Sequence, residues 1–562
     1  MKLLIKYVLP TTLLLSAAIS APAENKPDQF AQLREIISKA AASGQKSVKL
    51  PPGTYRGKAD PAFPGAHLLL KDLNDMVIDG SGIELICQDF LKPATAIKLI
   101  NCRNVEIKGF TIDADPLCFT QGKIINMAPD NSYFDLKIDP GYQDIDFFAK
   151  FRKVTRPMNI FDPKTRTWKN GVGDIYFSKL EKLKPGLWRI HARNKPRPGS
   201  VAKGDQAVIC GRGGCAVSAT NCEDLTYRDL TIYQSGVLAF HEHGGGGNTK
   251  IIGCTVTRRP GTDRLISSVA DGFHCKNMRK GPTVIDSTFQ YMMDDGTNIH
   301  TMFGRVAEGN GAVWKLLPRF ENTIRPGDTL EFYPANKLKP LFRATVKSCQ
   351  PIKPLKPEER KRYWGKFGSN GSVRLVTFDR PLKLNVRDRY INLNACGAGF
   401  TIRNCIYGPL RYRGILLRSF DGVIENCKFQ YTGNSAISIE SDFNCSGEGP
   451  YVDNLTIRNN RFENIGSFPG WEKGCGIVIC NFNWPSPQGP ELEKIHRNIT
   501  ITGNSFADTA NDAIHVEHLK NGIIKDNIFT RIGSRNTVKS SSPIPVNIKN
   551  STNVTQKNNK IK

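Results

Sequence analysis

The sequence lacks any hydrophobic run long enough to cross a membrane once its first residues are set aside. The 562-residue chain begins with Lys2 and Lys6 ahead of an apolar run from Tyr7 to Ile19, and small residues follow at 21–23. This pattern predicts a secretory signal peptide over residues 1–23, because the apolar run is shorter than the roughly 20 residues of a spanning helix. We therefore expect an exported protein, periplasmic or extracellular, without a membrane span; an uncleaved anchor is the alternative.

The chain also lacks a Cys-x-x-Cys pair of the kind that binds metals and lacks a concentrated basic block. Its fifteen cysteines are spread along the sequence, and several stand beside an asparagine in one recurring pattern. We expect most of them to be small buried residues, with one or two disulfides left open. The formal charge of +26 is distributed along the chain, which argues against nucleic acid as a partner. A basic surface favours acidic glycans or an anionic envelope.

A six-residue signature recurs along the sequence. An aliphatic residue is followed three positions later by a small, apolar, Asn or Cys residue, and two positions after that by an aromatic or aliphatic residue. The nine middle residues are Phe110, Leu230, Cys254, Ser287, Cys405, Cys427, Asn460, Asn504 and Asn527. Their base period of 22 to 24 residues predicts an all-β fold, a right-handed parallel β-helix, whose stacked Asn and Cys residues form internal ladders.

Two gaps of 120 and 118 residues between signatures interrupt this period. Alternating strands within them, such as 133–138 and 329–333, indicate two inserted antiparallel β-barrel or sandwich domains. The amphipathic stretch 28–42 is predicted to be a helix that caps the open end of the β-helix. The predicted divisions are the signal peptide 1–23, the cap and first coils 24–116, the first insert 117–210, the acidic coils 211–304, the second insert 305–394 and the last coils 395–562.

Two acidic segments lie one coil apart. Asp271 and Asp295 each precede a glycine and differ by 24 residues, so stacking at roughly 4.8 Å should bring their carboxylates to one patch. Asp294 joins them only if the chain bends, which we attribute to Gly296. No Lys or Arg stands in these motifs, so mutual repulsion should raise at least one pKa. Such a cluster suits glycoside hydrolysis; ordinary Asp-Gly turns and a Ca²⁺ site are the alternatives.

Strand alternation places further polar residues on the outer face, near the aspartates. The candidate ligands of sugar hydroxyls are His274, Asn298, His300, Arg418 and Glu440. The segment 241–243, His-Glu-His, suggests a metal site, but no third ligand follows at metal spacing. We therefore predict neither a metal nor a cofactor.

At the Asp-Gly-Phe-His and Asp-Asp-Gly-Thr-Asn-Ile-His segments the chain resembles glycoside hydrolase family 110, the exo-acting α-1,3-galactosidases. The resemblance extends across the mature chain and implies a β-helix with two barrel insertions, an inverting mechanism, no cofactor, and terminal α-1,3-linked galactose as substrate, such as the blood group B determinant. More distantly, the aspartates are similar to those of polygalacturonases. The resemblance implies that Asp294 is the general acid and that Asp271 and Asp295 share the base role. Inversion predicts a separation of roughly 6.5 to 9.5 Å between acid and base.

Two other functions fit the same pattern. A polygalacturonase-like hydrolase or a polysaccharide lyase acting on acidic glycans agrees with the basic charge, although the Gly-His-Gly and Arg-Ile-Lys segments of polygalacturonases are absent. A non-catalytic glycan-binding β-helix fits the fold but leaves the aspartates unexplained. The choice between branched and linear α-galactosides, the oligomeric state and the disulfide pairing are open at this point.

Overall fold

The computed structural model describes residues 29–150, 154–319, 324–364, 371–443, 446–468, 474–482, 495–536 and 542–562. The predicted signal peptide lies outside these residues. Within them, 34 strands join through mainly parallel pairings into one continuous sheet system wound as a β-helix, which confirms the predicted fold class. No helix in the described part of the chain is both long and apolar enough to cross a membrane.

A helix closes the first end of the β-helix, as predicted. α1 (Phe30–Ala42) buries Phe30, Leu33 and Ile37 against the first strands, and so covers apolar core that an open end would expose. The strands of this part are β1 (Ser47–Lys49), β2 (Gly53–Gly57), β3 (Ala66–Lys71), β4 (Asn74–Cys87), β5 (Thr95–Ile100) and β6 (Arg103–Ala114).

Two antiparallel units interrupt the coils. The first contains β7 (Phe119–Met127), β8 (Tyr133–Ile138), α2 (Ile145–Ala149), β9 (Thr155–Phe161), β10 (Phe177–Lys184), β11 (Leu187–Ala192) and β12 (Gln206–Cys210). The second contains β23 (Gly304–Asn310), β24 (Val313–Leu317), β25 (Thr329–Tyr333), β26 (Phe342–Ile352), α3 (Pro357–Trp364), β27 (Val373–Phe378) and β28 (Arg389–Asn392), followed by a 3₁₀ turn (Leu393–Ala395). The first is a six-stranded sheet and the second a closed barrel, and each has its own apolar core.

The coils between the inserts carry the acidic segments. Their strands are β13 (Val217–Glu223), β14 (Thr226–Arg228), β15 (Thr231–Ile232), β16 (Phe240–Gly247), β17 (Lys250–Ile252), β18 (Thr255–Val256), β19 (Phe273–Lys276), β20 (Thr283–Ile285), β21 (Thr288–Phe289) and β22 (Thr297–Met302). Each strand pairs in parallel with its counterpart on the next coil, as β19 does with β22.

The last coils continue the same stack beyond the second insert. Their strands are β29 (Thr401–Arg403), β30 (Ile406–Tyr407), β31 (Ile415–Leu417), β32 (Phe420–Glu425), β33 (Lys428–Gln430), β34 (Ile437–Asp442), β35 (Glu448–Gly449), β36 (Asp453–Arg458), β37 (Arg461–Ile465), β38 (Ile477–Phe482), β39 (His496–Thr502), β40 (Ser505–Thr509), β41 (Ile514–Glu517), β42 (Leu519–Lys525), β43 (Ile528–Ile532), β44 (Val546–Lys549), β45 (Thr552–Lys557) and β46 (Lys560–Ile561). β22 pairs directly with β31, with Thr297 opposite Ile415, 118 residues later in the sequence, so the barrel leaves the coil register intact.

The middle residue of the signature forms the predicted internal ladder. The Asn460 backbone N–H donates to Asn504 Oδ1 at 2.9 Å, and the Asn504 N–H donates to Asn527 Oδ1 at 3.0 Å. Earlier in the ladder the Cys405 N–H donates to Cys427 Sγ at 3.4 Å. These two cysteines are buried free thiols, as expected for small wall residues rather than bridges.

Candidate active site

The register of the coils stacks the two Asp-Gly pairs. The Gly272 N–H donates to the Asp295 carbonyl at 2.9 Å, and the Gly296 N–H donates to the Arg413 carbonyl at 2.8 Å. Asp271, Asp295 and Arg413 therefore occupy the same position on three consecutive coils, just ahead of β19, β22 and β31.

The structure brings the three predicted aspartates together. One carboxylate oxygen from each of Asp271, Asp294 and Asp295 lies within 4.8 Å of the other two. Asp271 and Asp295 are buried, whereas the Asp294 side chain is 35% exposed. The coil geometry predicted from the 24-residue spacing is confirmed, and the catalytic roles remain predictions. These oxygens are closer together than the roughly 6.5 to 9.5 Å between acid and base that inversion predicts. The distance therefore does not support the expectation of an inverting mechanism.

Gly296 is needed for a reason other than a left-handed backbone. Its φ is not positive, so the bend that we attributed to it stays a prediction. A Cβ at this position would lie 2.5 Å from both the Gly414 carbonyl oxygen and Tyr407 Cδ1. The glycine is required because the coil passes directly over the aromatic core at this point.

Two arginines correct the expectation of an acidic cluster without cations. The Arg413 N–H donates to Asp295 Oδ1 at 3.1 Å, and its guanidinium Nη1 lies 3.3 Å from Asp295 Oδ2. Arg411 Nη1 lies 3.7 Å from Asp294 Oδ1, and the same guanidinium pairs with Asp174 of the first insert. Both arginines follow the second insert, so they lie far from the aspartates in sequence and one coil away in space.

Burial dominates the electrostatics of the two inner carboxyls. It raises the pKa of Asp271 well above its usual range, and repulsion from Asp294 adds to the effect. Burial also raises the pKa of Asp295, partly opposed by Arg413. The prediction that at least one pKa in the cluster is raised is confirmed in direction, with loss of hydration as the main cause.

His274 and His300 lie behind Asp271 rather than on an open surface. His274 Nδ1 is 2.7 Å from Asp271 Oδ2, and His274 Nε2 is 2.9 Å from His300 Nε2. His300 Nδ1 is 3.1 Å from the Thr301 carbonyl oxygen. Burial lowers the pKa of His274 to about 4 and that of His300 to about 3.

The other three predicted sugar ligands also lie on the outer face of the sheet, but they are buried. Asn298, Arg418 and Glu440 are at most 4% exposed. β35 pairs antiparallel with the ends of β22 and β34, and Arg418 Nη1 lies 2.7 Å from Glu448 Oε2 on that strand. Our expectation of exposed ligands here is corrected: strand alternation predicted the face, but not its burial.

A cleft opens over Asp294. Two cavities, of about 790 and 450 Å³, share Tyr176, Asp294 and Arg411 in their walls. The first insert supplies much of the larger wall, including the basic side chains of Arg193, Lys195 and Arg197. The sequence did not predict these residues. They lie in an insert outside the repeat, and no periodic pattern indicates which face of the insert packs toward the coils.

The His-Glu-His segment does not assemble a metal site. Strand β16 alternates, so Glu242 points into the β-helix, where Thr249 Oγ1 donates to its carboxylate at 2.6 Å. His241 and His243 stand on the opposite face, and their rings are 5.1 Å apart. The buried Glu242 has a pKa raised to about 7 by loss of hydration.

The fold is that of a known class, the right-handed β-helix proteins. Residues 389–534 match the family model described as a right handed beta helix region, which gives the hand of the coils. The α-1,3-galactosidase B of Bacteroides thetaiotaomicron is 24% identical over 473 residues, covering 78% of this chain and 71% of the relative. The α-1,3-galactosidase A of Bacteroides fragilis is 23% identical over 541 residues, covering 89% and 84%. The resemblance to α-1,3-galactosidases is thereby confirmed.

Among solved structures, the polygalacturonase from Erwinia carotovora ssp. carotovora matches with a TM-score of 0.39 and 11% sequence identity, covering 96% of this chain and 95% of that one.

Proposed function

We propose that the chain is an exo-acting glycoside hydrolase that removes terminal α-1,3-linked galactose from glycans such as the blood group B determinant. One observation carries the proposal: three carboxylates lie within 4.8 Å of one another, and one of them, Asp294, lines a cleft, in a chain similar over most of its length to α-1,3-galactosidases. Carboxyl pairs in different environments supply the acid and the base that this chemistry needs.

The exposure of the carboxyls supports a division of roles. Asp294 lines both cavities, and in this proposal it protonates the departing glycosidic oxygen. Asp271 and Asp295 are buried, and in this proposal they hold the attacking water. Water delivered from the inner pair, on the side of the sugar away from the acid, gives inversion at the anomeric carbon.

The direct experiment is incubation of the protein with linear and fucosylated α-1,3-galactosides, followed by proton NMR. We expect free galactose, formed first as the β anomer. If the α anomer of galactose appears first, the mechanism is retaining and not inverting. If no α-galactoside releases galactose, the proposed activity is rejected.

A second candidate function is cleavage of an acidic glycan, and the basic wall of the cleft favours it. Arg193, Lys195 and Arg197 line the larger cavity, where they would attract sulfate or carboxylate groups. A lyase leaves an unsaturated, ultraviolet-absorbing product and usually requires Ca²⁺. An absorbing product that disappears with chelator would favour this function over hydrolysis of α-galactosides.

We also propose that the chain is exported, on the basis of the signal pattern over residues 1–23. Fractionation of cells that express the full chain tests this: the mature protein should be found in the periplasm or medium, and its N-terminus should begin at Glu24.

A further inference from the structure

Asp271 stands at one end of a line of hydrogen bonds whose direction is fixed at the other end. The Thr301 carbonyl oxygen can only accept, so the hydrogen of a neutral His300 is on Nδ1. His300 Nε2 is then an acceptor, and His274 must donate to it from Nε2. A neutral imidazole has one N–H, which leaves His274 Nδ1 as an acceptor facing Asp271 Oδ2 at 2.7 Å.

Both imidazoles are neutral because they are buried among mixed charges. For His274, loss of hydration and the positive charges of Lys276 and Arg418 outweigh Glu448 and Asp294, which favour the imidazolium. For His300, loss of hydration and the positive charge of Arg418 outweigh Glu448 and the hydrogen bond to the Thr301 carbonyl, which favour the imidazolium. Because His274 Nδ1 is an acceptor and faces Asp271 Oδ2 at 2.7 Å, the hydrogen between them must be on the Asp271 carboxyl.

Asp295 has the opposite surroundings. Its oxygens face the backbone N–H and the guanidinium of Arg413, at 3.1 to 3.4 Å. These groups only donate, so they stabilise the ionised carboxylate and oppose the loss of hydration that raises its pKa. The two inner carboxyls, equivalent in the coil register, are therefore distinguished by their partners: an acceptor beside Asp271 and donors beside Asp295.

We propose that His274 and His300 are positioning residues that keep Asp271 as a neutral carboxylic acid, so that Asp295 alone is the base. The inference rests on the proposed function and divides a role that the sequence assigned to both aspartates. The oxygen of water forms a bond to the anomeric carbon as the bond to the leaving oxygen breaks. Asp294 gives its proton to the leaving glycosidic oxygen, and Asp295 takes one proton from the attacking water. The Asp271 oxygen that does not face His274 accepts a hydrogen bond from the other hydrogen of this water.

The protonation state is tested by infrared difference spectroscopy, without any substrate. At pH 7, wild type minus Asp271→Asn should contain the C=O stretch of a protonated carboxylic acid. In His300→Met, His274 loses its acceptor and can place its hydrogen on Nδ1, so Asp271 ionises and that band disappears. His241→Gln, which alters a neighbouring histidine outside the line, should keep the band. Absence of the band in the wild-type difference spectrum overturns the proposal.

The division of roles is tested by two matched variants on an α-1,3-galactoside. Asparagine mimics a neutral acid, since its NH₂ donates to His274 and its oxygen accepts from water; Asp271→Asn should lose only about tenfold in kcat/KM. Asp295→Asn removes the base and should lose on the order of 10²–10⁴-fold. Equal losses in two folded variants would overturn the assignment of the base. An inactive wild type that retains the infrared band would reject the proposed function and leave the proton assignment standing.

Discussion

At the scale of single residues, exposure separates Asp294 from the two aspartates beside it. Its side chain is 35% exposed, and Arg411, which lies 3.7 Å from its carboxylate, is already paired with Asp174. Asp271 and Asp295 are each engaged by a close partner, His274 for Asp271 and Arg413 for Asp295. A group that must give its proton to a substrate atom and regain it from water benefits from the more open position.

We therefore predict that Asp294→Asn lowers kcat by about 10²–10⁴-fold, because the amide cannot protonate the leaving oxygen. The fold should be unchanged, since the side chain is partly exposed and asparagine has the same shape. Galactose release and the thermal unfolding midpoint measure the two effects. A substrate with an activated phenolic leaving group is the control, because it needs less protonation and should recover much of the lost rate. Full activity of the variant on the natural linkage would remove Asp294 from the mechanism.

Glu242 gives a prediction about stability against pH. Its pKa is raised from 4.5 to about 7 in the folded chain, so the folded state holds a proton that the unfolded state releases. That contribution to stability is complete below pH 4.5, falls as the pH rises, and is lost above about pH 7. Glu242→Gln cannot ionise, and its free energy of unfolding relative to wild type should rise by up to about 3 kcal/mol between pH 5 and 8.

Urea unfolding of both proteins across this pH range measures the difference. Glu181→Gln is the matched control, because the Glu181 carboxylate pairs with Lys179 at the surface of the first insert. Its variant should not gain stability as the pH rises. A difference between Glu242→Gln and wild type that stays constant with pH would contradict the buried, neutral state of Glu242.

At the scale of elements, a stack of rings runs along one inner wall of the coils. Phe429, Phe462 and Phe506 are stacked at 4.9 and 4.5 Å between centroids, with interplanar angles of 6° and 3°. Each ring comes from the last residue of the repeated signature, one coil apart. The stack ties neighbouring coils together by side-chain contact in addition to the backbone pairings.

Phe462→Ala should lower the free energy of unfolding by about 3–5 kcal/mol, because it leaves a cavity inside this stack. Phe462→Leu fills most of the space without the ring and should cost only about 1.5 kcal/mol. Urea unfolding monitored by circular dichroism gives both values. Equal costs for the two substitutions would mean that cavity volume does not control the loss at this position.

The coils could be predicted because each one repeats the same inward positions. The signature gave the register that stacks Asp271 on Asp295, and the alignment of Arg413-Gly414 with the Asp-Gly pairs already contained the cation beside Asp295. What the repeat could not indicate was how segments outside it fold. β35 brings Glu448 to Arg418, and the first insert places Asp174 and Tyr176 at the cleft. Both depend on tertiary contacts without a periodic signal.

At the scale of the whole molecule, the first insert and the coils build the cleft jointly. Asp174 of the insert holds Arg411 of the coils through two hydrogen bonds, across 237 residues of sequence. This pairing directs the guanidinium away from Asp294, whose nearest oxygen is 3.7 Å from Arg411 Nη1. The insert therefore affects the charge around the proposed acid as well as the shape of the cleft.

Asp174→Asn keeps the shape of this contact but removes its charge. Arg411 should then turn toward Asp294 and pair with its carboxylate, which occupies the oxygen that must reach the leaving group. We expect kcat/KM to fall by about tenfold. Asp146→Asn is the matched control, since Asp146 pairs with Lys182 elsewhere on the same insert and should leave kcat/KM unchanged. If Asp174→Asn keeps the wild-type kcat/KM, the insert contributes to the cleft through shape alone, and its charge has no effect on the acid.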